Sequence, residues 1–420
     1  MDTVPFWACR KCIAVALVLG LAAHADLSWA ADEDEALRKQ AIALNDLTGN
    51  DALEKAIDDL LKDKDKTRKL LTTADRMARG KDQPFNYNAA FVLARTAQEL
   101  KDLEIAESLY SLCVKTATKL QSGQKLAQSF GGLIDTFYEN KRFDKVVKFC
   151  REFLEIDGDD TVKNLRPVVM ERMIQAMARQ GKIDDALKLT DNLIALEKKD
   201  TGWWSLQLKA WVLREGARLD ESAKVYETIV ERLEKDDTLK PEQKDRYLDR
   251  NRYLLSGVYV DLKKIDKAAE HLQVLLKKKP DDPTYNNDLG YIWADHDMNL
   301  EEAEKLIRKA IDEDRKQRKA IPDLPADEDK DNAAYLDSLG WVLFKQKKYE
   351  EAKKWLLQAV EDKDGQHIEI YDHLADVHMA LKEKDKAISV WKKAVESAGT
   401  SKREQERKAV VEKKLKDAEK

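Results

Sequence analysis

Two stretches near the C-terminal end of the chain repeat one pattern of large and small residues. Residues 335–360 read YLDSLGWVLFKQKKYEEAKKWLLQAV, and residues 371–395 read YDHLADVHMALKEKDKAISVWKKAV. When the two are aligned, Ala352 falls on Ala387, 35 residues later. A fixed period of about 20 to 50 residues is the sequence signature of a repeat architecture. The fold is therefore decided by how one such unit packs on the next.

The small residues within each stretch predict a pair of closely packed helices. The pair Leu339-Gly340 in the first half of one unit corresponds to Leu374-Ala375 in the next, and an alanine opens the second half of both units. Small side chains at these positions let two helix backbones approach, while large residues such as Trp391 fill the space between pairs. A single helical hairpin cannot bury its apolar face alone, so neighbouring hairpins must stack.

This arrangement resembles the tetratricopeptide repeat (TPR), whose period is about 34 residues and whose small and large positions fall in the same order. The resemblance implies an all-α fold, a right-handed α-α superhelical solenoid of stacked TPR-like hairpins. About eight such hairpins cover residues 85–397. Val146, at the second of the small positions, departs from the small-residue rule. The residues that open the second helices are Ala106, Val146, Ala186, Ser222, Ala268, Ala303, Ala352 and Ala387.

The composition of the 420-residue chain agrees with a helical fold and argues against nucleic-acid binding. Glycine and proline number only 15 and 8, and the turns that connect strands depend on such residues. Charged residues make up 37% of the chain, yet 75 basic and 80 acidic residues leave a net charge of −5. Interleaved charges of both signs create no extended positive field, so we expect no nucleic-acid partner.

Residues 1–30 have the three parts of a secretory signal peptide. Two basic residues, Arg10 and Lys11, precede an apolar run of about 12 residues, which is followed by small residues at positions 28 and 30. The run is shorter than the roughly 20 residues that span a bilayer, so we expect a cleaved peptide and no membrane span afterwards. Cleavage after Ala30 and cleavage after Ala25 both fit the pattern. Either predicts an exported protein, periplasmic or extracellular.

Two cysteines remain once that peptide is removed. Cys113 and Cys150 are too few for a disulfide framework, and their spacing suits no zinc site. Both lie in apolar helical stretches, which predicts two buried thiols. A bridge between neighbouring helices is the alternative in an oxidising compartment.

The ends of the repeat array lack the repeat signature. Residues 31–84 show helical apolar spacing, and we expect non-repeat helices that cap the N-terminal end of the stack. Residues 398–420 combine many charges with a narrow apolar stripe, which predicts a charged C-terminal capping helix. The insertion 312–332 contains two prolines and an acidic run, which predicts an exposed loop after an extended helix. It contains no glycine, which argues against a calcium-binding loop.

The sequence carries no catalytic or metal-binding motif. There is no GxSxG, no HExxH, no Walker lysine loop and no strand-linked GxGxxG. His373 and His378 lie five residues apart on one predicted helix, about 140° from each other, so they cannot readily share a metal. We therefore predict a protein that is not an enzyme and has no cofactor or metal.

In TPR proteins the first helices of successive hairpins line a concave groove that contacts ligand segments. The resemblance implies a partner-binding groove here too, lined by the aromatic, basic and polar residues that protein interfaces favour. The candidates are Phe91, Arg95, Tyr138, Arg172, Arg179, Trp211, Tyr253, Asn287, Tyr291, Asp337, Trp341, Phe344 and Asp372. Some TPR domains hold chaperone C-termini with a Lys/Asn/Arg clamp. The matching positions here are Asp337, Trp341 and Asp372, which disfavour that ligand.

Trp341 has two interpretations. It lies three residues from Phe344 on one helix face, and Tyr291 is at the equivalent position one unit earlier, so the three could form an aromatic hot spot on the concave side. The competing interpretation is that Trp341 packs against the following hairpin and only fills the core.

These features predict a non-enzymatic protein–protein interaction scaffold of the cell envelope. It would dock an extended peptide or a helix of an envelope protein in the groove. The alternative is an envelope polysaccharide-binding protein that uses Trp203, Trp204 and Trp211 as stacking platforms. A third class is a hydrolase whose site matches no known motif.

Overall fold

A computed structural model describes residues 32–80, 83–156, 160–196, 203–325, 328–399 and 402–420. All regular structure within these residues is helical, which confirms the all-α class. Residues 1–30, where the signal peptide is predicted, lie outside the described residues. In the described part of the chain, no helix is both long enough and apolar enough to cross a membrane.

The chain divides into two compact units after Leu189, a boundary that falls within one helix. The helices that begin in the first unit are α1 (32–43), α2 (Asn50–Leu61), α3 (Lys64–Ala78), α4 (Tyr87–Glu99), α5 (Leu103–Lys119), α6 (Gly123–Glu139), α7 (Phe143–Leu154), α8 (Asp160–Arg179) and α9 (Ile183–Leu196). Those of the second unit are α10 (Trp203–Glu215), α11 (Leu219–Lys235), α12 (Pro241–Asp261), α13 (Ile265–Lys278), α14 (Pro283–Asp295), α15 (Leu300–Lys319), α16 (Ala333–Lys345), α17 (Tyr349–Ala359), α18 (Ile368–Ala380), α19 (Lys384–Ser397) and α20 (Lys402–Glu419).

Consecutive helices pair as hairpins in both units. The first unit pairs α4 with α5 and α6 with α7, and the second pairs α10 with α11, α12 with α13, α14 with α15, α16 with α17 and α18 with α19. Successive hairpins also contact one another, because α16 packs on both α14 and α15, and α18 packs on both α16 and α17. Within each unit the fold is therefore the stack of hairpins that the repeat period predicts.

The small position that opens each second helix is a point of tight packing. All eight residues predicted for this position are fully buried, and Val146 is buried like the rest. The facing first helix is equally constrained, because a Cβ added to Gly340 would lie 2.5 Å from Cγ of Leu356. The two helices of this hairpin thus approach as closely as their small residues allow.

Left-handed turns close most of the hairpins, and many of them use lysine rather than glycine. The φ angles of Lys263, Lys347 and Lys382 are 58°, 65° and 63°. A side chain in this region costs roughly 1–2 kcal/mol. The turn recovers hydrogen bonds in exchange, since the backbone N–H of Lys348 donates to the carbonyl of Leu343 at 2.9 Å. Lysine at these positions explains how a chain so poor in glycine forms so many tight turns.

Ion pairs connect Asp331, near the end of the insertion, to two arginines of α15. This helix runs on to Lys319, so residues 312–319 of the predicted loop are helical. Arg315 donates from Nε to Oδ1 of Asp331 at 2.8 Å, and Arg318 donates from Nη2 to the same oxygen at 2.9 Å. The expectation of a loop exposed throughout is therefore wrong at Asp331, because two arginines of the extended helix bind its carboxylate.

The terminal helices pack on the outermost hairpins. In the first unit α2 and α3 contact α4, and α3 also contacts α5. In the second unit α20 packs on α18 and α19 and buries Val411 completely. This is the position that the first helix of a further hairpin would take.

Both cysteines of the described chain are free thiols. Cys113 on α5 and Cys150 on α7 are buried. Burial raises the pKa of both thiols, to about 12 for Cys150. The structure thus contains the two buried thiols that the sequence predicts, and no bridge joins them.

Candidate partner-binding surface

The candidate residues lie on the first helices of the hairpins. In the first unit α6 contacts both α4 and α8, and in the second unit α16 contacts both α14 and α18. We use the term first-helix surface for the outward side of α4, α6 and α8 in the first unit, and of α10, α12, α14, α16 and α18 in the second. The fold therefore collects residues from distant parts of the sequence onto one side of each unit.

In the first unit this surface is basic and aromatic. Arg95, Arg172 and Arg179 are exposed, while Phe91 and Tyr138 are half-buried. The Tyr138 hydroxyl donates to the backbone carbonyl of Arg172 at 2.9 Å, and the Arg172 guanidinium lies 5.8 Å from the centre of the Tyr138 ring. These two candidates therefore form one contact site, in which a fixed ring lies beside an exposed cation.

In the second unit the accessible candidates are aromatic. Trp211, Tyr253, Tyr291 and Phe344 are half-buried. The Tyr291 hydroxyl donates to Oε1 of Glu369 at 3.0 Å. Burial raises the pKa of Tyr253 and of Tyr291, so both hydroxyls stay protonated and act as donors. Hydrogen-bonded rings of this kind present rigid contact area to a partner.

A cavity of about 350 Å³ opens on the first-helix surface between α10, α12 and α14. Tyr253 and Tyr291 line it together with Asp288, Asp295 and the Arg214 side chain. The Tyr253 hydroxyl donates to Oδ2 of Asp288 at 2.8 Å. Burial raises the pKa of Asp288, and this hydrogen bond offsets part of the effect. The cavity is thus a mixed site, with aromatic walls and a partly buried carboxylate.

Four candidate residues are buried inside the second unit. Asn287, Asp337 and Trp341 are 6%, 6% and 9% exposed, and Asp372 has no exposed surface. Their burial removes these four side chains from the open part of the surface. A role in partner binding stays a prediction for the other candidates.

The position of Trp341 corresponds to the second interpretation of this residue. Its Nε1 donates to Oδ1 of Asp295 at 3.1 Å, and its ring stacks on His373, with centroids 4.0 Å apart. The Phe344 ring also stacks on the Trp341 ring, with ring centres 5.0 Å apart. The tryptophan therefore connects α14 with α18 instead of projecting from α16.

A buried ionic cluster joins α16, α18 and α20. His373 has no exposed surface, and its Nδ1 lies 2.8 Å from Oδ1 of Asp337 while its Nε2 lies 3.0 Å from Nη2 of Arg407. Arg407 Nε also lies 3.1 Å from Oδ2 of Asp372. Because a guanidinium can only donate, His373 accepts through Nε2 and donates from Nδ1 to Asp337. We refer to these four residues as the Arg407 cluster.

Sequence reasoning missed His373 and Arg407 as members of a site. The signal was available in the repeat period, because Asp337 and His373 are 36 residues apart and His373 and Arg407 are 34 apart. Residues separated by about one period lie on neighbouring first helices. Polar residues at that spacing are therefore candidates for contact between hairpins.

The histidines of α18 are used separately. His373 belongs to the Arg407 cluster, whereas His378 hydrogen-bonds to the Glu383 carboxylate through Nδ1. In the described part of the chain, no group of three or more His, Cys, Asp or Glu side chains is placed to hold a metal ion.

Models of the tetratricopeptide repeat match three segments of the chain. The matched residues are 253–318, 332–363 and 368–400. They lie on α12 to α15, on α16 and α17, and on α18 and α19. The matches therefore fall on the hairpins that the repeat pattern predicts most plainly.

Known proteins that resemble the chain also carry this repeat. A TPR repeat-containing protein of Pseudomonas aeruginosa is 28% identical over 190 residues, which are 45% of this chain and 28% of that relative's length. Among solved structures, a tetratricopeptide repeat protein from Parabacteroides merdae has a TM-score of 0.44 at 14% identity and covers 72% of this chain and 98% of its own. A TPR protein from Thermus thermophilus has a TM-score of 0.37 at 18% identity and covers 50% and 98%. The chain carries tetratricopeptide repeats over residues 253–318, 332–363 and 368–400, and the family predicted from its sequence is confirmed.

Proposed function

We propose that this chain is a non-enzymatic scaffold that binds a partner protein along its first-helix surface. The TPR repeats favour a role in protein–protein interaction. The observation that carries the proposal is the makeup of that surface, where half-buried tyrosines held by hydrogen bonds stand beside exposed charges and an open cavity. Rings fixed in advance lose little conformational entropy on binding, which makes them effective anchors for a partner.

We propose further that the partner is a protein of the cell envelope. The support is the N-terminal sequence, whose basic residues, apolar run and small-x-small site are those of a signal peptide. An exported chain of this kind works in the periplasm or outside the cell. The surface fits an extended peptide or a helix, which can lie across several first helices at once.

The alternative function, polysaccharide binding through the tryptophans of α10, has one supporting feature. Trp203, Trp204 and Trp211 are each half-buried, so part of each ring is open. Against it, Trp203 already packs on Tyr247, with ring centres 4.1 Å apart. One of the three rings that a sugar would stack on, that of Trp203, therefore already contacts another side chain of the same unit.

Affinity capture from the envelope fraction of the source cells tests the proposal. The bait is the full chain in three versions: the parent, a first-helix variant and a second-helix control. The first-helix variant carries Arg95→Ala, Arg172→Ala and Tyr253→Ala. The control carries three exposed changes on second helices, Lys115→Ala, Lys148→Ala and Lys224→Ala.

The parent and the control should retain the same proteins in mass spectrometry, and the first-helix variant should lose them. Equal retention by all three versions would contradict the proposed surface. If no version retains a protein while the parent is retarded in a polysaccharide-affinity gel, the alternative function is supported instead.

A further inference from the structure

The cavity between α10, α12 and α14 carries an excess of negative charge. Asp261, Asp288 and Asp295 line it against a single arginine, Arg214. Arg214 is already neutralised, because its Nε donates to Oδ2 of Asp261 at 2.7 Å. Two carboxylates therefore remain without a balancing cation inside the cavity.

The donors to these two carboxylates are uncharged. Asp288 accepts from the Tyr253 hydroxyl at 2.8 Å and from Nδ2 of Asn287 at 3.3 Å, and Asp295 accepts from the Trp341 indole. Among the described residues, no lysine or arginine nitrogen lies within 4.0 Å of either carboxylate. Removing the half-buried Asp288 carboxylate from water without a cation is costly, and a ligand that brings a cation recovers that cost.

The two carboxylates and a tyrosine form one stripe on α14. Asp288, Tyr291 and Asp295 are spaced i, i+3 and i+7, so they share one face of the helix over roughly 10 Å. Asp295 is exposed at one end of this stripe, and Asp288 is half-buried at the other. The apolar side chains of Leu254 and Ile292 line the same cavity. This combination suits a side chain with a long apolar stem and a positive end.

The chain itself accepts a basic side chain on this side of the unit. Arg407 of α20 lies between Asp372 and His373 of α18, and its neighbourhood includes Tyr291 and Asp295. The cavity offers the same combination of groups, because its carboxylates also lie beside aromatic rings. Arg214, the arginine that lines the cavity, pairs with Asp261, and among the described residues no lysine or arginine pairs with Asp288.

We propose that this cavity binds a lysine or arginine side chain of the partner segment, with its cation at Asp288 and its stem against Leu254 and Ile292. Asp295 adds an attractive field at the exposed end and a second contact for a basic residue further along the segment. The inference rests on the proposed function, since it names the chemistry of the partner that the first-helix surface takes.

The test is selection of 12-residue peptides from a phage-displayed random library on the immobilised full chain, followed by fluorescence polarisation of the selected peptides. Each peptide is measured against the parent, Asp288→Asn and Asp266→Asn. The asparagine at 288 keeps an acceptor for the Tyr253 hydroxyl, so this variant is expected to fold. Asp266, exposed at the start of α13 and outside the cavity, is the charge-matched control.

The selected peptides should contain a basic residue whose replacement by norleucine weakens binding about tenfold or more. Asp288→Asn should weaken binding of the unmodified peptide by a similar factor and have little further effect on the norleucine peptide. The control chain, Asp266→Asn, should bind both peptides nearly as the parent chain does. Peptides that bind without a basic residue, or equally well to Asp288→Asn, would overturn this inference and leave the proposed function standing. Failure to select any peptide that competes for the first-helix surface would overturn both.

Discussion

Arg407 of α20 places its Nε 3.1 Å from Oδ2 of Asp372, a carboxylate of α18 with no solvent-exposed surface. The other oxygen of that carboxylate accepts hydrogen bonds from Trp391 Nε1 at 2.9 Å and from Lys414 Nζ at 2.8 Å. One buried charge thus fastens the C-terminal helix to the last hairpin. The contact is ionic at its centre and only narrowly apolar around it, since Val411 and Ala418 are the buried apolar residues that α20 supplies.

Replacing Asp372 by alanine should destabilise the second unit by about 3–5 kcal/mol, because it removes the ion-pair partner of the half-buried Arg407 and the acceptor of the Trp391 indole N–H. The measurement is the urea dependence of unfolding followed by circular dichroism. Asp417→Ala near the end of α20 is the control, since Asp417 is exposed and pairs with the nearby Lys420, so its loss should change stability by less than about 0.5 kcal/mol. Equal effects of the two changes would show that α20 is not held through Asp372.

Trp341→Ala should cost roughly 3–5 kcal/mol, the usual cost of deleting a large core side chain. The physical reason is that the indole stacks on His373 and donates to Asp295, so its removal opens a cavity between three first helices. Thermal unfolding of the variant beside Leu357→Ala measures the effect, since Leu357 on α17 is 44% exposed. A variant that melts with the parent would return Trp341 to the role of a surface anchor.

Ala352→Leu should destabilise the chain by about 1–3 kcal/mol through overpacking. Ala352 has no exposed surface, and α16 and α17 pack closely in this hairpin, since a Cβ added to Gly340 would lie 2.5 Å from Cγ of Leu356. Ala334→Leu on α16 is the matched control, because Ala334 is exposed. Equal melting temperatures for the two variants would mean that the helices of this hairpin are not in close contact.

His271 should stay neutral well below neutral pH. Burial lowers its pKa from 6.5 to about 4, and the neighbouring Arg252 adds to this effect. The unfolded chain takes up a proton near pH 6.5 and the folded chain does not, so this residue contributes stability above pH 6.5 that is lost as the pH falls towards 4. A proton NMR titration of the His271 ring should give a midpoint near pH 4, and His271→Gln should weaken the dependence of stability on pH between 6.5 and 4. A midpoint near 6.5 would contradict this assignment.

The hairpins could be predicted from the sequence because close packing leaves a local signature. Every residue predicted to open a second helix is fully buried, Val146 among them, since the demand for small volume recurs once per unit and is visible in one dimension. The exact first-helix positions that face outward were harder to predict. Asp337 and Asp372 were expected on the open surface, but each is enclosed by a side chain one period further along, His373 for the former and Arg407 for the latter.

The shape of the cavity and the ion pairs of the insertion could not be predicted, because they depend on distances between hairpins. The Tyr253–Asp288 hydrogen bond joins residues 35 positions apart on α12 and α14, so the repeat period makes the two residues candidates for contact but does not specify the cavity beside them. The Arg315–Asp331 pair closes an insertion of irregular length, and no repeat spacing indicates it. Charge and shape at such points emerge only when the hairpins are stacked.

The central claim, that a partner protein binds the first-helix surface, is tested most directly by site-specific photocrosslinking in the source cells. A benzophenone amino acid replaces Tyr253 on the first-helix surface in one version of the full chain and Leu357 on a second helix in another. Illumination should give a covalent adduct of higher mass from position 253 and none from position 357. Adducts of equal yield from both positions, or from position 357 alone, would contradict the claim.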